Sequence, residues 1–398
     1  MKLSSPTLFV EINKENFIFL AFDISENNKF ELLQKNSIPI QGIYEKKISD
    51  FQLVIDLFKK NIYSIEKELN FTFKEVVLLI DNFDCSLINL SGYKKLNGSQ
   101  LLKENITYLL NSLKFKINET EKNKKILHIF NSKFLLDKKS IDNLPLGLFG
   151  NFYSHELSFF LIDNNDYKNL NNILNNCNLK IKKIIAKNFI EGVNLINENK
   201  NLNTFFRIEI NQTNSHISFF ENSSLKFFQE FKFGSNLIIK DISKVIGLNI
   251  DEVKNIINSS NLISTDDEDE NIEKKFFRYT SFRKIKKSLI NEIANARIQE
   301  ISELIITKNI NISSFLKNNI LIFLIINDEI MNAKFRENHK LFFSHNNKFE
   351  INFLKEDDFN NLYFHANNVV QYGWNKEALP VVNEKKSIIA RVFEFFFN

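Results

Sequence analysis

The chain has 398 residues, 43% hydrophobic and 25% charged, with a formal net charge of +4. That balance excludes a disordered chain, which needs low hydrophobicity and high net charge, and it gives no whole-chain basis for binding nucleic acid. Cys85 and Cys177 lie too far apart for a metal-ligand spacing and suit a reducing cytoplasm as small apolar residues.

In chain order, no signal peptide is read at the N-terminus, where Lys2 precedes a short apolar strand. Leu8–Ile12 and Phe17–Asp23 flank a polar break and predict a β-hairpin, with a third strand near Phe30–Leu33. Phe51, Val54, Ile55, Phe58, Ile62 and Ile65 have helical spacing over Asp50–Leu69. Val76–Ile80 is a buried strand. Cys85–Ile162 reads as a separate α+β unit with a helix at Ser99–Leu113 and strands at Ile126–Phe130, Lys133–Leu136 and Leu157–Ile162. A helix at Asp166–Cys177, a strand at Ile181–Ile185 and a helix ending at Gly192–Asn197 follow.

Glu209-Ile210-Asn211-x-x-Asn214 then repeats the pattern of Glu11-Ile12-Asn13-x-x-Asn16, each between two apolar strands. The pair indicates an internal duplication, against chance in a chain rich in Glu, Ile and Asn. Helices are predicted at Ile238–Ile246, stopped by Gly247, at Asp251–Ile257 and over Ser281–Ile306. Thr265–Glu270 is an acidic solvated loop. Ile320–Ile326 is the longest apolar run, too short to span a bilayer, and reads as a strand buried on both faces. A tail segment, His365–Tyr372, closes the body.

Four segments carry a family resemblance. They are Ile141–Gly150 with Ser154-His155-Glu156, Phe233-Gly234-Ser235-Asn236 with Asp241-Ile242, Glu292-Ile293 with Arg297 and Glu300, and Ala366-Asn367-Asn368-Val369-Val370-Gln371-Tyr372-Gly373. In this order they resemble the bacterial cell-division protein FtsA, collinearly over nearly the whole chain. The resemblance implies an α/β, actin-like (actin/Hsp70/sugar-kinase) two-lobed fold with a small inserted α+β subdomain in the first lobe and a C-terminal amphipathic helix. It implies a first core subdomain at residues 1–82, 164–203 and 364–380, an insert at 83–163, and a second core subdomain at 204–236 and 300–363. Subdomain IIB falls at 237–299, a linker at 381–386 and the terminal helix at 387–398.

In that family two hairpins hold ATP with Mg²⁺ through patterns similar to D-I-G-T-T-K and D-I-G-G-G-T. Gly lets backbone N–H groups approach the phosphates. The corresponding positions here are Glu11, Asn13 and Lys14 in the first hairpin and Glu209, Asn211, Thr213 and Asn214 in the second. Gly234 follows in the next segment. Asn327 and Asp328 stand at an altered T-G-G turn, and Glu252 and Lys254 near the family's acidic and basic pair on the adenine-facing helix. Both acids are one methylene longer, and Asn tolerates the positive φ that the glycines adopt, so the turns persist while side chains fill the phosphate space. ATP binding is therefore expected to be weak or lost, no catalytic residue is assigned, and no metal site is expected. His216, which replaces a family Asp, reads as a surface strand residue.

The segment Lys274–Lys287 is the densest basic and aromatic cluster. The resemblance makes this edge the receptor of the acidic FtsZ C-terminal tail, with Arg278, Arg283, Lys286 and Lys287 as cations beside apolar anchors. By spacing alone it reads equally as a solvated helix face. At the C-terminus, Ile388, Ile389, Val392, Phe393, Phe396 and Phe397 form a wide apolar face opposite Arg391, Glu394 and Asn398. Each large side chain left in water costs about 1.5–3 kcal/mol, so the face is buried in protein, in a partner or in a bilayer surface. Its place after a polar link favours the membrane, as does the resemblance.

The expected role is to tether FtsZ filaments to the cytoplasmic face of the inner membrane at the division septum. The expected partners are the FtsZ tail, membrane lipids and further copies of the chain through the actin-like lobes, not nucleic acid. The alternatives are a PilM-like pilus-assembly adaptor on the same fold and an active actin-fold ATPase or kinase, which would keep the Asp and Gly residues.

Overall fold

The computed structural model describes residues 6–24, 30–258, 270–316, 319–326, 333–345, 348–355 and 361–378. They fall into two units, one drawn from residues 1–187 and 366–398, the other from residues 188–365. Residues 379–398, Asn327 and Asp328 lie outside the described residues, and with them the expected membrane helix and the altered T-G-G turn.

In the first unit, β1 (Thr7–Ile12) and β2 (Asn16–Ile24) form the expected hairpin, and β3 (Phe30–Pro39) continues it. A small hairpin of β4 (Ile43–Tyr44) and β5 (Lys47–Ile48) leads into α1 (Phe51–Leu69). The Asp50 carboxylate caps α1 by accepting from Leu53 N at 3.0 Å, satisfying an amide that has no intrahelical partner. The apolar stripe of α1 covers the sheet, and Phe17 and Phe19 meet Phe58 edge-on with centroids 5.3 and 5.2 Å apart. β6 (Glu75–Ile80) then runs parallel to β1.

The insert consists of β7 (Cys85–Lys95), α2 (Lys103–Thr120), β8 (Lys124–Leu136), β9 (Lys139–Ile141) and β10 (Phe152–Asp163), with sheet order β7-β10-β8-β9. Two expectations are corrected here. The helix expected from Ser99 starts at Lys103, because Leu101 exchanges backbone hydrogen bonds with Gly147 and Leu148 and Gln100 bridges to Phe149. The two strands expected at Ile126–Phe130 and Lys133–Leu136 are one strand with a bulge at Ser132. That buried hydroxyl bonds to Ser158. After the insert, α3 (Asn164–Asn176) and β11 (Lys180–Ala186) complete a sheet of order β11-β6-β1-β2-β3.

The second unit follows within α4 (Lys187–Glu198). β12 (Phe205–Ile210), β13 (Ser215–Glu221) and β14 (Ser224–Phe231) form an antiparallel meander. Helices α5 (Asn236–Ile246), α6 (Ile250–Asn258) and α7 (Lys287–Ser302) follow, α5 ending at Gly247 with φ 61°. β15 (Leu321–Ile326), α8 (Ala333–Phe343), β16 (Glu350–Leu354) and α9 (Leu362–Tyr372) close the chain's described body. The helix expected from Ser281 begins six positions later at Lys287 and passes into a π-turn over Glu303–Thr307. Its expected first turn is instead held extended, with Ile272 N donating to Ile285 O at 2.8 Å.

The second sheet has the order β14-β13-β12-β15-β16. In each sheet a central strand has an antiparallel hairpin partner on one side and a parallel crossover strand on the other. Ile12 pairs with Phe17 and Ile80, and Ile210 with Ser215 and Ile326. The repeated Glu-Ile-Asn motif therefore occupies the same position in two copies of one topology.

Candidate functional site

Each motif sits where its central strand turns into the hairpin. In the first, Asn13 N donates to Asn16 O at 3.2 Å. The Asn13 Oδ1 accepts from Glu15 N at 2.9 Å and Asn16 N at 2.7 Å. In the second, Asn211 N donates to Asn214 O at 2.9 Å and Asn211 Nδ2 to Asn214 Oδ1 at 3.1 Å. Among the described residues with positive φ, neither Asn13 nor Asn211 appears. The turns persist, but the reason differs from the one expected: asparagine side chains close them by local hydrogen bonds, with no left-handed backbone.

The two acids are engaged from within. Glu11 is 2% exposed, and its Oε1 accepts from Lys187 Nζ at 2.8 Å and Asn13 Nδ2 at 3.2 Å. Lys187 stands where β11 passes into α4. Glu209 Oε2 accepts from Arg207 at 2.8 Å, and the same buried guanidinium reaches Glu191 at 3.0 Å. His216, half-buried on β13, contacts Asn214 Oδ1 at 3.0 Å. Gln212 and Thr213 are exposed at the tip, and Lys14 is half-buried.

Gly234 makes the second hairpin's support possible. A Cβ there would stand 2.1 Å from Asn211 O. Its absence lets Ser235 N and Asn236 N donate to Asn211 O and Gln212 O, each at 3.0 Å. The Phe233–Asn236 segment thus seats α5 on the hairpin tip.

These residues do not fit Mg-ATP in the way the resemblance implies. In the first hairpin, the amides of residues 15 and 16 are turned onto the Asn13 side chain, where a phosphate loop would leave them for the ligand. Each acid is matched by a cation of the chain itself.

Glu252 is not open toward a ligand either. It is fully buried on α6 and accepts from Tyr279 N at 2.7 Å, Thr280 N at 3.1 Å, Thr280 Oγ1 at 3.0 Å and Asn249 N at 2.9 Å. Burial pushes its pKa up, but these donors outweigh that and hold it at about 2. Lys254, half-buried, lies two positions further along α6.

Glu252 thereby clamps the basic, aromatic segment. Within it, Lys274–Phe276 forms one 3₁₀ turn, and Phe276 and Phe277 pack on the core of the second unit. Arg283 donates to Gly247 O at 2.8 Å and to Ile246 O, closing the C-terminus of α5. Lys287 is buried and donates to Glu270 at 2.8 Å. Arg278, Lys284 and Lys286 are exposed, together with Tyr279 at 69% and Phe282 at 46%. The four expected cations therefore divide: Arg278, Arg283 and Lys286 are exposed, Arg283 also capping α5, while Lys287 is buried and ties the segment to Glu270.

No protein-family model matches the chain. It is 20% identical to cell division protein FtsA of Buchnera aphidicola subsp. Schizaphis graminum over 236 residues, 59% of this chain and 56% of that relative. It is 19% identical to cell division protein FtsA of Neisseria meningitidis serogroup B over 294 residues, 73% of this chain and 70% of that relative. The match spans just over half the length of the two Buchnera relatives. A chain of the PilM–PilN type IV pilus biogenesis complex superposes with a TM-score of 0.54, covering 89% of this chain and 88% of that one at 8% identity, which establishes fold alone. The chain is thus similar to FtsA proteins at 19–20% identity, and it has an actin-like fold.

In this FtsA-like chain the residues that sequence reading missed are the counter-ions Lys187, Arg207 and Glu191. One signal was available for Lys187. It directly follows Ile184-Ile185-Ala186 at the end of a buried parallel strand, a place where a lysine needs an acid nearby.

Proposed function

We propose that this chain is a cell-division scaffold that ties FtsZ filaments to the cytoplasmic face of the cell membrane, with little or no dependence on nucleotide. The similarity to curated FtsA proteins over 294 residues in the Neisseria relative is the observation that carries this reading. The FtsZ tail docks on the segment from Lys274 to Lys287, where Phe282 and Tyr279 offer apolar surface and Arg278, Lys284 and Lys286 meet carboxylates. Arg283 and Lys287 hold that surface in shape. The apolar face of residues 387–398 lies in the lipid surface. One short helix binds weakly, so attachment grows when several copies line up on a filament. The internal ion pairs at Glu11 and Glu209 support the reading that ATP is bound weakly or not at all.

The test is binding of a labelled FtsZ C-terminal peptide to the full chain. Arg278→Glu with Lys286→Glu is expected to abolish binding, and unchanged affinity rejects the docking segment. Deleting residues 387–398 is expected to release the protein from vesicles of anionic lipid. A second reading rests on the fold-level superposition with the PilM–PilN complex: a pilus-assembly adaptor. Binding of a PilN segment in place of the FtsZ tail, with no vesicle attachment, favours that reading.

A further inference from the structure

On the first unit, the outer edge of β8 is not left open. Residues 376–378 lie against it as a short antiparallel strand, with Phe130 and Glu377 opposite each other. Asn131 N donates to Lys376 O and Ala378 N to Ile129 O, both at 2.7 Å. The Ala378 methyl packs on the insert's core, and Lys376 Nζ donates to Asp142 O at 3.0 Å.

The centre of this contact is ionic and buried. Ala186 N donates to His128 Nε2 at 3.2 Å, so the ring proton sits on Nδ1 and is donated to Glu377 Oε1 at 2.7 Å. Lys183 Nζ reaches the other Glu377 oxygen at 2.8 Å. The His128 side chain has no exposure and that of Glu377 has 6%. Burial raises the Glu377 pKa, but His128 and Lys183 overcome this and hold it at about 2. Burying such groups for three residues of strand gives little net stability, and its value lies in choosing one partner. Just before the strand, Gly373 closes α9, its N–H donating to Val369 O at 3.1 Å with φ 78°, so the chain turns there from helix into strap.

We propose that the outer edge of β8 is a docking site for one extended strand, keyed by His128 and Lys183 to a Glu, and that residues 376–378 are its resident, releasable occupant. Docked, this strap holds the chain at Ala378 against the inserted sheet, away from the end of α9. Released, it opens backbone groups of Ile129 and Asn131 to an extended acidic peptide. The inference does not depend on whether the terminal residues meet lipid.

Trp374 is the chain's single tryptophan and reports on the strap directly. The experiment compares wild type with Glu377→Gln and Glu377→Ala in the full chain, by Trp374 emission and by amide hydrogen exchange. In both variants, exchange at Asn131 and Ala378 is expected to accelerate by about 10–100-fold, with a red shift of emission. Amides of Leu157–Leu161, on the far side of β8, stay protected. A synthetic peptide of residues 374–378 is expected to restore protection at Asn131 in Glu377→Ala. Unchanged exchange and emission overturn the proposal, as does loss of protection across the whole insert, which makes Glu377 an ordinary core group. Failure of the peptide to protect Asn131 overturns the docking site.

Discussion

Lys187→Met separates the two readings of the first hairpin most cleanly. The substitution keeps the aliphatic stem and removes the ammonium 2.8 Å from Glu11 Oε1. Glu11 is then a buried carboxylate that has lost the cation 2.8 Å from its Oε1. Breaking a fully buried pair from one side costs about 3–5 kcal/mol. The Lys187 side chain is 22% exposed, so solvent already weakens the pair, and a loss of about 2–3 kcal/mol is expected. Adding Glu11→Gln removes the buried charge itself, and the double variant recovers most of the loss. Urea unfolding of the wild type, both single variants and the double variant gives the coupling energy directly. A coupling near zero refutes the argument that Lys187 serves as the built-in counter-ion. The same wild-type protein is expected to show no rise in Tm with millimolar Mg-ATP, whereas a rise of several degrees shows that the ligand displaces the pair.

Three other outcomes follow from the geometry. Gly234→Ala drives a Cβ to within 2.1 Å of Asn211 O, and calorimetry should show a loss of about 1–3 kcal/mol from displacing the hairpin tip. Glu252 has a pKa lowered to about 2, so its contribution is complete above the unfolded value near 4.5 and is lost as pH falls toward 2. The stability gap between wild type and Glu252→Gln should close over that window, and a constant gap contradicts the clamp. Burial holds the pKa of His155 and of His339 at about 4, so the unfolded chain takes up protons first. Stability is full above the unfolded value near 6.5 and falls toward pH 4, by up to about 1.4 kcal/mol per pH unit for each histidine. His155→Phe should flatten that acid limb in pH-dependent unfolding.

The central strands were legible in the sequence because they are buried on both faces. Val76–Ile80 and Ile320–Ile326 read as strands from apolar content alone, and the structure gives β6 and β15 there. The duplicated Glu-Ile-Asn motif foretold that both central strands end in the same turn. Helix starts were less legible, because tertiary pairing decided them. Nothing local to Ser99 or Ser281 reveals the partners Gly147–Phe149 and Asn271–Ile272 that hold those stretches extended. Side-chain roles were least legible. Glu252 fits an adenine-side acid by position, yet its carboxylate is filled by Tyr279 and Thr280, 27 and 28 residues away. Glu11 and Lys187 are 176 residues apart, and only the sheet order brings them together.

The central claim is that one chain joins an FtsZ tail to lipid without nucleotide. Flotation of anionic vesicles with the full chain and a fluorescent FtsZ C-terminal peptide, with and without Mg-ATP, tests it directly. The peptide is expected to float with the vesicles only when the chain is present, to the same extent in both conditions, and to stay below in the Arg278→Glu/Lys286→Glu variant. A peptide that stays in the dense fraction with the wild-type chain, or rises only when Mg-ATP is added, contradicts the account.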